Sequence, residues 1–229
     1  MNFPNLEKFA EFRKKDPMYD EYLPHLHELL KIIKAIGEPL EGNIFYQHLD
    51  PNPGEELIEQ FLPKRAALAM FAMAHNNIVE IGFNAGFSAL LMLTANPKLN
   101  LSCVDICEHK YTEPCFDYLA SVFPGRVTLT KGDSTQVLAE VLQSNKDLTG
   151  YIIDGGHGLG LAETDLQNVI KYSNPHAVLC FDDSDFVELR ILLNAYMLAG
   201  FLAPTHDEFC LIQNQTQMFF NINKKVATS

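Results

Sequence analysis

From residue 77 to residue 222, short continuous apolar runs alternate with stretches whose apolar residues recur every three or four positions. NIVEIG (77–82), LSCVDI (101–106), RVTLTKG (126–132), GYIIDG (150–155) and HAVLCFDD (176–183) are of the first kind. Such runs read as strands buried on both faces. Between them, SALLMLTA (88–95), residues 114–122 and residues 134–143 predict helices. So do the stripes Leu159, Ala162, Leu166, Val169, Ile170 and Phe186, Leu189, Leu193, Met197. Two final extended runs, 206–213 and 217–222, flank Asn214-Gln215-Thr216 and predict a hairpin. The alternation implies an α/β fold, a doubly wound and mostly parallel sheet of seven strands with helices on both faces.

The first 75 residues follow another grammar. Asp16-Pro17 is a helix start, and Leu26, Leu29, Leu30 and Ile33 form one helical face. Pro24 is expected to limit or kink that helix, and Gly37 to cap it. GEPLEGNIFYQHLDPNPGEE (37–56) must be a loop, and a helix over Pro63–Ala74 leads into the alternating region. Tyr46, Gln47 and His48 in the loop fit either a functional segment or a surface connection with a few packed aromatics. Residues 1–62 are therefore expected to form a helical N-terminal extension with a substrate-side loop, and residues 63–229 the ligand-binding domain.

Composition narrows the partners. A formal charge of −12 repels polyanions, which argues against nucleic acid and anionic membranes. No apolar run approaches the ~20 residues a membrane span requires. MNFPNLEKFAEFRKKDP lacks the apolar stretch of a signal peptide. Five cysteines without paired-ligand spacing point to neither zinc nor a disulfide framework. A cytoplasmic location is expected, and self-association is left open.

In a doubly wound sheet, ligands bind beyond the carboxyl ends of the strands. Asp105, Asp133, Asp154, Asp182 and Asp183 all fall at or just past predicted strand ends. After the first strand comes Glu80-Ile81-Gly82-Phe83-Asn84-Ala85-Gly86-Phe87-Ser88. Glycine permits a sharp turn and close approach of a ligand to the backbone. The spacing is neither G-x-G-x-x-G nor a phosphate loop, which disfavours a nicotinamide dehydrogenase and an ATP site. Asp105, 19 residues after Gly86, can accept both hydroxyls of a ribose, or serve as a cap or turn residue.

VEIGFNAGFSALLML resembles the first motif of class I methyltransferases, with Asp105 at the position of their ribose-binding acid. GDSTQVL (132–138) resembles their adenine-side segment. YIIDGGHG followed by CFDDSD resembles the metal-dependent, catechol-type O-methyltransferases, especially those that modify antibiotic sugars. The resemblance implies a Rossmann-like methyltransferase fold over roughly residues 75–222 that binds S-adenosylmethionine. Glu80, Gly82, Asn84, Gly86 and Ser88 would surround the methionine part, Asp105 the ribose, and Asp133 and Ser134 the adenine. It implies Mg²⁺ held by Asp154, Asp182 and Asp183, which are hard oxygen donors, with His157 as general base. Phe181-Asp182-Asp183-Ser184-Asp185 before a helix is also an ordinary N-cap.

The expected function is Mg²⁺-assisted methyl transfer from S-adenosylmethionine to a hydroxyl of a small molecule. Segments 38–55 and 184–188 would select the acceptor. Two alternatives stand: a metal-free methyltransferase acting on a nitrogen, a carboxylate or a protein side chain, and a non-catalytic cofactor-binding protein.

Overall fold

The computed structural model describes residues 18–42, 44–47, 49, 57–156, 158–205, 207 and 216–224. Helix α1 (Tyr19–Ile36) buries Tyr22, Leu26, Leu29, Leu30 and Ile33 and ends on Gly37 in a left-handed conformation. Pro24 lies inside the helix rather than in its first turn. It removes one backbone donor, and the buried face carries the helix past it. The expected start at Asp16-Pro17 lies outside the described residues. A 3-10 turn (Glu59–Phe61) leads into α2 (Leu62–Ala74).

The alternating region then runs β1 (Asn77–Ile81), α3 (Phe87–Ala95), β2 (Asn100–Asp105), α4 (Thr112–Val122), β3 (Val127–Lys131) and α5 (Ser134–Ser144). It continues through β4 (Gly150–Ile153), α6 (Leu159–Tyr172), β5 (Val178–Phe181), α7 (Val187–Leu198), β6 (Leu202–Pro204) and β7 (Met218–Ile222). The seven strands are ordered β3-β2-β1-β4-β5-β7-β6, with β7 antiparallel to both neighbours. The sequence places the sixth strand at 206–213. The structure instead starts the closing pair at Leu202, just after Gly200 ends α7, and residues 208–213 lie outside the described set. Pro204 is tolerated because β6 is an edge strand.

Side chains alternate across the sheet, so each strand feeds two cores. Ile78, Cys103, Ile152 and Cys180 pack under α1 to α4, whereas Val79, Val104, Ile153 and Phe181 pack under α5 to α7. The N-terminal helix thus shares one core with the sheet. Among the described residues, no helix is long and apolar enough to cross a membrane.

One buried carboxyl on the second face leads to a prediction. Asp165 is 1% exposed, and its Oδ2 accepts from Ser134 Oγ at 3.0 Å. Burial pushes its pKa up to about 6. The folded state then keeps a proton that the unfolded chain releases near pH 4, so this contribution is complete below about pH 4 and is lost as pH rises through about 6. Asp165→Asn is expected to stabilise the protein by about 1–2 kcal/mol near pH 7.5 and by almost nothing near pH 4. Urea melts at the two pH values check it, and equal shifts at both would mean that the charge is not the cause.

Candidate active site

The parallel arrangement brings the carboxyl ends of β1, β2, β4 and β5 to one rim, around a cleft of about 320 Å³. Glu80, Gly82, Asn84, Ser88, Asp105, Asp154, Asp182 and Asp183, all expected from the sequence, line it. Lys64, Ile106, His109 and Gln217 join them. Acids outnumber bases along this lining, so the cleft suits a ligand carrying positive charge and opposes a polyphosphate.

The loop after β1 is held open by backbone conformation and by one carboxylate. Gly82, Asn84 and Gly86 all have positive φ. The Phe83 and Asn84 amides donate to Asp105 Oδ2 at 2.7 and 2.8 Å, and the Cys107 amide donates to Oδ1 at 2.6 Å. A side-chain carbon on Gly86 would fall 2.5 Å from the Phe83 ring and 2.8 Å from Leu119. Gly86 therefore serves as a packed cap of α3 and is not among the lining residues.

Glu80 is fully buried on the α1–α4 face of β1, where Ser88 Oγ donates to it and Cys103 Sγ donates at 3.6 Å. Burial raises its pKa to about 7 against the opposing effect of those two donors. Asp133 caps α5, with its Oδ1 accepting from the Thr135 amide at 2.9 Å and hydroxyl at 2.7 Å. Neither Asp133 nor Ser134 is among the lining residues. His157 lies outside the described residues.

One wall of the cleft comes from the N-terminal extension. Glu38 accepts from the Lys110 amide at 3.0 Å, and His109 lies 3.6 Å from Glu38 and 3.3 Å from Glu41. The imidazole stacks on Tyr111 at 4.8 Å with the rings 4° apart. Glu41, Gly42 and Ile44 line the cleft together with Ile106 and Glu108. In the same loop, Phe45 and Tyr46 are buried and pack on Phe87, as a packed connection requires. His48 lies outside the described residues, and residues 184–188 are not among the lining.

The acidic end of the cleft holds a cation that the motifs did not reveal. Lys64, in the first turn of α2, is 7% exposed, and its Nζ lies 2.6 Å from Asp182 Oδ2. Burial alone lowers its pKa, but Asp182, Asp154 and Asp183 more than reverse that and keep it protonated. Burial raises Asp154 well above the ordinary carboxylate range, aided by the Asp182 charge and opposed by Lys64. Asp182 Oδ1 accepts from the Asp183 amide at 2.9 Å, and neither acid caps α7, whose N-cap is Phe186.

This arrangement does not fit a divalent ion. An ammonium contacts the Asp182 oxygen that such an ion would need, and like charges repel. Among the described residues, no cluster of three or more His, Cys, Asp or Glu side chains is placed to hold a metal. The signal for Lys64 was present in the sequence as a lysine in an otherwise Ala-, Leu- and Met-rich helix.

Comparison with known proteins agrees with the fold. Residues 79–184 match the family model described as a methyltransferase domain. The fold is similar to that of the O-methyltransferase TomG from Streptomyces achromogenes, solved with S-adenosylmethionine (16% identity, 92% of this chain and 91% of that one, TM-score 0.61). It is also similar to the S-adenosylhomocysteine-bound methyltransferase PaMTH1 from Podospora anserina (10% identity, 97% of each chain, TM-score 0.64). A third similar structure is the O-methyltransferase from Bacillus cereus with S-adenosylhomocysteine (14% identity, 87% and 90%, TM-score 0.59). No curated protein matches the sequence.

Proposed function

We propose, from the match of residues 79–184 to the family model described as a methyltransferase domain, that the protein transfers a methyl group from S-adenosylmethionine to a hydroxyl of a small molecule. The observation that carries this reading is the glycine loop of β1, held by Asp105 over a cleft whose charged lining residues are mainly acids. A sulfonium is a cation, and that lining favours it over the phosphates of a dinucleotide. The names of TomG and of the Bacillus cereus protein support oxygen as the acceptor atom. A cytoplasmic setting fits four described cysteines that are all free thiols.

S-adenosylmethionine supplies an already activated methyl group. The chain must bind it, aim the acceptor and take a proton. Glu80, Gly82, Asn84 and Ser88 form the methionine end, and Asp105 has acceptor capacity for the ribose hydroxyls besides its three amide donors. Exposed Ile106, directly after Asp105, offers an apolar platform for the adenine, with Asp133 and Ser134 as its further neighbours in this reading. His157 takes the acceptor proton. Segment 38–55, from which Glu41, Gly42 and Ile44 line the cleft, selects the acceptor.

The test is cofactor binding. S-adenosylhomocysteine is expected to raise the melting temperature, as any ligand specific for the folded state does. Asp105→Ala is expected to weaken its binding by about 1.5–3 kcal/mol and to lower the ligand-free melting temperature as well, since three amides lose their acceptor. Calorimetric titration and thermal melts read both effects. Binding of NADH with none of S-adenosylhomocysteine would refute the reading.

A further inference from the structure

We propose that the ammonium of Lys64 is the resident cation of this cleft, standing among Asp154, Asp182 and Asp183 where a divalent ion would otherwise sit, and supplying the positive charge that faces the acceptor oxygen.

The position is unfavourable for a lysine on every local count. It lies in the first turn of α2, where the helix dipole already places partial positive charge. It is almost fully buried, and the rest of the helix is predominantly Ala, Leu and Met. Its neighbour Arg65, also buried, pins the loop instead, with its Nη1 donating to the carbonyls of Ile44 and Ile58 at 2.9 and 3.1 Å. Lys64 reaches a second part of the fold, 2.6 Å from an acid beyond β5. A buried cation in so poor a context persists when buried acids compensate it. Those acids come from the ends of β4 and β5, and Asp183 holds a left-handed backbone at φ 53°.

Asp154, Asp182 and Asp183 carry oxygen donors of the kind that hard divalent cations take, although among the described residues no three acids are placed to hold an ion as they stand. One ammonium partly neutralises the cluster and blocks that use. Because Lys64 also lines the cleft, its charge is available to an acceptor oxygen as that oxygen gives up its proton. Only this last role rests on the methyl-transfer reading; occupancy of the acidic pocket by Lys64 does not.

The decisive experiment uses Mn²⁺ alone as the probe, with the full chain and no acceptor. Electron paramagnetic resonance follows free Mn²⁺ during titration of the wild type, Lys64→Gln and Lys64→Ala. The wild type is expected to leave the free-ion signal unchanged into the millimolar range. A folded variant lacking the ammonium is expected to bind one Mn²⁺ at least about tenfold more tightly, as liberated carboxylates raise the ligand charge. Adding Asp154→Asn to that variant should remove the gain. Stoichiometric Mn²⁺ binding by the wild type would overturn the proposal. So would a folded Lys64→Gln, verified by its melt, that binds no more Mn²⁺ than the wild type. Were Lys64→Ala unable to fold, the near-isosteric glutamine variant carries the comparison. Thermal melts with S-adenosylhomocysteine keep the two readings apart: a failure there refutes the cofactor assignment and leaves the Mn²⁺ result to decide the fate of Lys64.

Discussion

Gly82→Ala is expected to destabilise the protein by at least about 4 kcal/mol, enough to prevent folding in many backgrounds. The new methyl carbon would lie 2.0 Å from the carbonyl oxygen of Asp154 and 2.7 Å from its carbonyl carbon. Both obstacles are backbone, held in place because the Asp154 amide donates to Ile81 at 2.9 Å as β4 runs beside β1. Neither strand can retreat without breaking the ladder. The φ of 96° at Gly82 adds strain that alanine cannot relieve. Urea denaturation measures the loss. A variant with wild-type stability would mean that the two strand ends do not approach so closely. The same substitution at Gly37, which also has positive φ but nothing within 4 Å, is the control that separates conformational strain from collision.

The second large effect is on rate. His157→Ala is expected to lower turnover by about two to four orders of magnitude, the usual contribution of a positioned general base, while affinity for S-adenosylhomocysteine stays within a few-fold. The expectation rests on its place three residues after Asp154 and on the need of a hydroxyl to lose its proton. Single-turnover rates, with binding measured separately by calorimetry, check it. Near-normal turnover would return the residue to an ordinary loop histidine and shift attention to Lys64.

The strands and helices of the sheet domain are readable because a parallel sheet buries both faces and leaves continuous apolar runs. The sixth strand escapes such a reading because Leu202–Pro204 is only three residues long, includes a proline, and sits on an edge. In the cleft, the acids are readable from one topological rule, since strand ends meet whatever the side chains are. Asp133 shows the limit of that rule: its carboxylate is taken by its own helix through Thr135. Gly86 likewise has the sequence context of a ligand contact, and its environment is the Phe83 ring and Leu119. Lys64 is invisible to motif reading because its partner Asp182 is remote in sequence, and only packing of α2 against the sheet brings them together.

Three residues other than glycine that flank the cleft, Asn84 after β1, Cys107 after β2 and Asp183 after β5, hold left-handed backbones. Each such residue costs of order 1 kcal/mol or more relative to a relaxed one. That cost is borne when the chain folds, before any ligand arrives. Association therefore meets a mould already cast, and little of the binding free energy is diverted into ordering the rim. Fold stability and ligand affinity are in this sense exchangeable here: a substitution that relaxes one of these turns would make the free protein more stable and the same ligand harder to hold.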